Sequence, residues 1–281
     1  MALLPRQLPF TSEKFSTMNI LKYTACVLSL LATSAACITA CTKDTDAPVP
    51  TDKVGKVTIE FENVVGGSPL ELNRRSLYAT PSGDQFSVST FRYYISNIKL
   101  TKSAEFIQQT KPQESDFVQP ESYYLIDQAL EGSRRFTIEN VPAGEYSDIE
   151  FTIGVDAARN SGGAQTGALA VSDMFWVWDT GYIFTKMEGR SDQSPTKALV
   201  FHIGGNNNIK TVSPAMNGKI IQVRENRTPE VFLRADLLRM FTGATTILFQ
   251  NTNNVMGGEE AAQIAKNQAD GMFTVDRVRS N

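Results

Sequence analysis

A mainly β chain, folded as an antiparallel β-sandwich with one short C-terminal helix, is what the sequence predicts. Three observations carry this. Runs of alternating apolar and polar residues recur along the chain. Clusters of Gly, Pro and Asn separate them. Helical spacing is confined to one segment near the C-terminus.

The first element is an export signal. From Met18 the chain reads Met-Asn-Ile-Leu-Lys-Tyr, then an apolar run from Thr24 to Ala36, then Ile38-Thr39-Ala40-Cys41. A basic start, an apolar run too short to span a bilayer, and small residues before a cysteine predict a lipoprotein signal over 1–40. Its working start is Met18, and Cys41 is the lipidated residue. Cys37 is a rival, with Ser34 a poorer residue three places before it than Ile38 is before Cys41. Residues 41–55 follow as a polar, proline-containing tether, and residues 56–281 form one domain. The expected location is the cell envelope: an outer-membrane lipoprotein, facing the periplasm or the surface, held to the membrane through its anchor.

Processing has chemical consequences. Cys26 and Cys37 leave with the signal, so beyond Cys41 the body contains no cysteine. A disulfide, a blue-copper site and a cysteine zinc site are excluded. Residues 1–40 carry Arg6, Lys14 and Lys22 against Glu13, so their removal takes the formal charge from -3 to -5. A mildly acidic domain gives no electrostatic reason to bind nucleic acid.

Strands are predicted at 57–65 before Gly66-Gly67, 86–100, 123–127, 134–141, 146–155, 182–187, 198–203, 219–223, 230–233 and 245–249. The stretch from Arg134 through Pro142-Ala143-Gly144 to Tyr146 reads as strand, tight turn, strand. Leu237 to Phe241 reads as one helical turn. From Gly258 to Gly271, Ala261, Ile264, Ala265 and Gln268 recur at helical spacing with Glu259 and Glu260 in the first turn, which predicts the one helix. Met272 to Val275 then returns as an extended tail.

Candidate chemistry centres on Met174-Phe175-Trp176-Val177-Trp178-Asp179-Thr180-Gly181-Tyr182, which holds both tryptophans of the chain. An extended segment puts Trp176, Trp178 and Thr180 on one face and Phe175 and Val177 on the other. The plain reading is a core or edge strand that uses indoles as packing mass. Around it stand Phe151 to Asn160, Gly162 to Leu169, Gly181 to Gly189 and Phe201-His202-Ile203-Gly204-Gly205. The order and wording of these blocks resemble the MbnP-like family, periplasmic copper-binding proteins named after the methanobactin-associated member. The resemblance runs from about Lys56 to about Val278. It implies a β-rich fold, copper as cofactor, and oxidation of a tryptophan to kynurenine by a partner enzyme of the di-haem cytochrome c peroxidase-like kind.

His202 is the chain's one histidine. With Val200 and Gly204 as its alternation partners, it reads either as an ordinary half-buried strand histidine or as a copper ligand. As a ligand it needs help from Trp176, Trp178, a thioether such as Met174 or Met187, or Asp179. Family members end in an Asp-His-Val-His type tail, where this chain has Asp276-Arg277-Val278-Arg279, and Gln268 stands where an aromatic is usual. Arginine offers a metal no lone pair. No Gly-x-Ser-x-Gly elbow precedes His202, the glycines at 161–167 lack a phosphate-loop ending, and Glu60, Glu62, Asp156 and Asp173 form no pairing readable from sequence. A non-enzymatic protein is expected. Two functions stay open: a lipid-anchored copper-handling protein with an oxidisable tryptophan, and a non-metal β-sandwich binding or scaffold lipoprotein that uses Trp176 and Trp178 as an aromatic platform or as core.

Overall fold

Alternating burial along the strands builds two stacked sheets, because each strand hides every second side chain. The computed structural model describes residues 53–110, 116–119, 121–163, 165–170, 172–178 and 181–280. The signal, Cys41 and nearly all of the tether lie outside these residues, as do Asp179 and Thr180. In chain order the first strands are β1 (Val54–Val65), β2 (Ser68–Pro69), β3 (Tyr78–Ala79), β4 (Gln85–Lys102), β5 (Phe117–Val118), β6 (Tyr123–Asp127), β7 (Arg135–Pro142) and β8 (Gly144–Ile153). Then come β9 (Phe175–Trp176), β10 (Gly181–Arg190), β11 (Ala198–Gly204), β12 (Lys210–Val212), β13 (Ile221–Val223), β14 (Glu230–Asp236), β15 (Asn254–Val255) and β16 (Phe273–Arg279). The helices are α1 (Ala104–Thr110), α2 (Ala157–Asn160) and α3 (Gly258–Gly271).

The smaller sheet runs β16-β14-β1-β2, with β7 also on β1; the larger runs β12-β8-β4-β10-β11-β15, with β3, β5, β6, β9 and β13 attached. Their inner faces interlock through aromatic rings. Phe61 of β1 meets Tyr93 of β4 and Phe151 of β8 at 6.0 Å each, and Phe273 of β16 meets Phe151 at 5.2 Å. The fold is the expected sandwich. Its ladders are antiparallel except β1 with β14 and β11 with β15, which are parallel. Helix α3 packs Ala261, Ile264 and Ala265 into the same core, and buried Gln268 donates to Thr185 Oγ1 at 3.1 Å.

Three local readings are corrected. The Pro142-Ala143-Gly144 turn does not join a hairpin: β7 pairs with β1 in the small sheet and β8 with β4 in the large one. Its length suits a tight turn, but the chain uses it to cross between layers. Residues 245–249 form no strand; Phe249 is held instead by its N–H donating to buried Asp84 at 3.1 Å. Tyr146 and its neighbours start earlier than predicted, and the strand expected from Lys219 begins at Ile221. The turn at Leu237–Met240 is a short 3-10 helix, as expected. Among the described residues no helix is long and apolar enough to cross a membrane.

Candidate functional site

The large sheet carries chemistry on its outer face, and strand register arranges it in rows. Lys186 of β10 lies between Arg92 of β4 and His202 of β11, and Glu188 lies beside Thr90. Val200 and Gly204 share the face of His202, while Phe201 and Ile203 point into the core. This is the alternation expected for a half-buried strand histidine.

One row further on, a second core covers the sheet: Tyr94, Val155, Leu169, Met174, Trp176, Tyr182, Ile183 and Phe184. Buried phenols anchor it, with Tyr94 donating to the Ala168 carbonyl at 3.1 Å and Tyr182 to that of Leu169. Burial pushes both phenols above their ordinary range. Gly154 at φ +113 lets the chain turn directly over the Phe184 ring, 2.7 Å from where a Cβ would stand.

The tryptophan segment folds onto this core, but not as one extended strand. Among its described residues Phe175 and Trp176 alone pair with β10, opposite Tyr182 and Gly181, and Val177 and Trp178 then turn away. The expectation of two indoles on one strand face is therefore corrected. Trp176 is 6% exposed and Trp178 66%. The turn nevertheless folds the outer ring back onto the inner one, with centroids 5.4 Å apart and planes tilted by 40°. Trp176 sits where a side chain at Gly204 would be, its ring carbon 2.7 Å from an ideal Cβ. Phe175 and Tyr182 meet edge to face at 5.0 Å as packing.

Asp173 begins the segment and pins it to the charged row. Its carboxylate accepts from Arg92 at 2.6 and 2.8 Å and from Lys186 at 3.1 Å. Arg92 also makes an ionic contact with Asp127 at 2.9 Å. His202 Nε2 lies 2.9 Å from Glu188 Oε1, Thr90 donates to Glu188 Oε2 at 3.2 Å, and Lys186 Nζ is 3.6 Å from Glu188. Burial lowers the His202 pKa below its ordinary value, only partly opposed by the Glu188 hydrogen bond, and Lys186 lowers it further. The ring is thus neutral near pH 7, and its Nε2–H donates to the carboxylate. Burial alone raises Glu188 and Asp173, but His202 and Lys186 for the first, and Lys186 and Arg92 for the second, outweigh it and lower both.

These donors do not fit a copper ion at His202. Its Nε2–H donates to Glu188, which leaves Nδ1 as the one ring nitrogen with a lone pair, while the lysine ammonium and arginine guanidinium occupy the carboxylates and Met174 is fully buried among aromatics, so a single imidazole nitrogen is all that these side chains offer. Among the described residues no group of three His, Cys, Asp or Glu side chains could hold a metal. Met187 is likewise buried, in the main core between the sheets. The row was missed in the sequence because Arg92, Lys186 and His202 come from three strands far apart in the chain. The other carboxylates are structural: Asp156 caps α2 by accepting from the Arg159 N–H, and Glu60 and Glu62 pair with Arg135 and Arg234.

The C-terminal arginines stand elsewhere. Arg277 stacks over Phe232 at 3.8 Å, and Arg279 pairs with Glu230 at 2.9 Å. Both lie on the outer face of the small sheet, opposite His202 across the sandwich.

The family model described as MbnP matches residues 54–257. Among solved structures, MbnP from Methylosinus trichosporium is similar, at 14% identity over 81% of this chain and 99% of that one, with a TM-score of 0.46. No curated protein matches.

Proposed function

Because the chain belongs to the MbnP family, we propose that it is a lipid-anchored, non-enzymatic protein of the cell envelope whose working element is the Trp176–Trp178 pair. Cys41 carries the lipid, and the anchored domain presents the indoles to a di-haem, peroxidase-like partner. The observation that carries the reading is the contrast within the pair: an exposed Trp178 tilted against a buried Trp176, their ring centroids 5.4 Å apart. An oxidising partner reaches the outer indole directly.

The chemistry balances with peroxide as co-substrate of the partner. Peroxide supplies the oxygens and is reduced to water. The C2–C3 bond of the indole breaks to give N-formylkynurenine, and hydrolysis releases the formyl carbon as formate and leaves kynurenine. The nearby phenols favour keeping the electron hole on the indoles, since Tyr94 and Tyr182 hand their protons only to carbonyls, which are poor bases. Copper handling is assigned to the oxidised protein alone, since the unmodified donor set does not fit the ion.

Mass spectrometry of the tryptic peptide Asn160 to Lys186, from protein isolated from its native host, tests this. Kynurenine at Trp178 is the expected result. Two intact indoles under both copper-replete and copper-starved growth would sink the reading. Copper titration adds a second check: weak binding by unmodified protein, equal in wild type and His202→Ala, and tighter binding after oxidation.

A further inference from the structure

A third phenol beside the second core has a different hydrogen-bond acceptor. Tyr123 of β6 packs against that core and donates from its hydroxyl to Asp156 Oδ2. The other carboxylate oxygen, Oδ1, accepts from the Arg159 N–H at 3.1 Å and caps α2, so the group is held in place. Tyr94 and Tyr182 hand their hydroxyl hydrogens to backbone carbonyls instead. The difference matters for electron transfer. An oxidised phenol is a strong acid, and it forms readily only where a base takes the proton in the same step. A carboxylate is such a base, and a carbonyl oxygen is a poor one.

The same phenol is continuous with the indoles. Trp178 meets Trp176 at 5.4 Å, and Trp176 shares the second core with Tyr182 and Tyr94, which meet edge to face at 5.8 Å. In the ladder of β4 with β6, Tyr94 lies opposite Leu125 and Ser96 opposite Tyr123. Tyr94 and Tyr123 are therefore diagonal neighbours on one sheet face, a spacing of roughly 7–8 Å. From the exposed indole to the Tyr123 ring, the path stays inside one packed cluster. Burial and the Asp156 hydrogen bond push the Tyr123 pKa up to about 12, so the resting phenol keeps its proton near neutral pH.

We propose that Tyr123 and Asp156 form a proton-coupled redox site that returns a singly oxidised indole to its resting state. One electron passes from Tyr123 to the radical cation of Trp178 or Trp176. The phenol O–H bond breaks, and its proton goes to Asp156 Oδ2. The products are an intact indole, a neutral tyrosyl radical and a neutral carboxylic acid. The first oxidant is the high-valent haem iron of the partner, which gains the electron that the indole loses. Conversion of an indole to kynurenine takes more than one oxidising equivalent, so an indole that has lost a single electron is a stranded intermediate that this site discharges. Its use in the cell rests on the oxidised-indole reading; the chemistry of the pair does not.

The test replaces the haem partner by photogenerated ruthenium(III) tris-bipyridine, acting on the purified full chain with both indoles intact. Transient absorption follows the indole radical and the tyrosyl radical that succeeds it. In wild type the indole radical is expected to decay at a rate independent of protein concentration, with the tyrosyl signal growing in step, and more slowly in heavy water. Tyr123→Phe and Asp156→Asn are each expected to slow that decay about tenfold and to remove the heavy-water effect. Asparagine is as good a cap for α2 as aspartate, so Asp156→Asn removes the base and keeps the helix start. An indole decay unchanged in either variant, or a tyrosyl signal of undiminished yield in Tyr123→Phe, would overturn the proposal. Because the oxidant is supplied, intact indoles in the native host would sink the oxidised-indole reading and leave this result standing. Kynurenine in the host with an unchanged indole decay in the variants would sink the inference alone.

Discussion

Trp176→Ala removes an indole packed on the Gly204 backbone, and a loss of about 3–5 kcal/mol in urea unfolding is expected. Trp178→Ala, at an exposed position, should stay within about 0.5 kcal/mol of wild type. Equal losses would mean that the outer ring is core. His202 gives a second residue-scale expectation. Its folded pKa is depressed, so its contribution is full above the unfolded value of about 6.5 and is lost as pH falls through the folded one. Glu188 and Asp173 are also depressed and lose their contributions at lower pH still, through their folded values. Stability should therefore fall continuously on acidification from about pH 7. In His202→Gln the decline that sets in below about pH 6.5 should flatten while the more acidic part remains, as unfolding midpoints across pH will check. The rarity of Trp and His made these positions visible in the sequence. Their partners were not, because Glu188, Lys186 and Arg92 are ordinary alternating strand charges until register brings them together.

At the scale of elements, the junction of β9 with β11 is the tightest fit in the site. A Cβ at Gly204 would stand 2.5 Å from the Tyr182 carbonyl oxygen and 2.7 Å from the Trp176 ring. Gly204→Ala should therefore cost about 1–3 kcal/mol by overpacking. It should also shift the emission of Trp176 by lifting the segment from the sheet, which fluorescence of a Trp178→Phe background will read. Element type was largely legible: alternation found the long strands, and the spacing of Ala261, Ile264 and Ala265 found α3 with its ends. The tryptophan segment defeated alternation because only two of its residues join the ladder before a turn. The asparagine runs at Asn206–Asn208 and Asn251–Asn254 read as turn material; the first is a short 3-10 helix and the second leads into β15. The second run reaches the large sheet through β15 pairing with β11, a contact of two residue pairs that no periodicity announces.

For the whole molecule, the sandwich separates two sets of side chains that the sequence invites one to combine. His202 faces outward on the large sheet, and Arg277 and Arg279 face outward on the small one. Arg277→His with Arg279→His should therefore create any new copper affinity independently of His202, and adding His202→Ala should leave it unchanged. Copper titration of the double and triple variants will check this, with loss in the triple variant placing all three imidazoles in one site. The two-layer architecture was legible from the many short strands, but the layer assignment of each strand was not. The turn at Pro142 to Gly144 has the composition of a hairpin and crosses between sheets instead.

The parallel ladder of β1 and β14 places Thr58 beside Glu230 and Val64 beside Asp236. The first long strand of the domain thus lacks this neighbour until most of the chain has been delivered. Such distant pairing is slow to close. In a chain made from its N-terminus, β1 meets β7 early, but the small sheet is completed only once β14 and β16 have emerged.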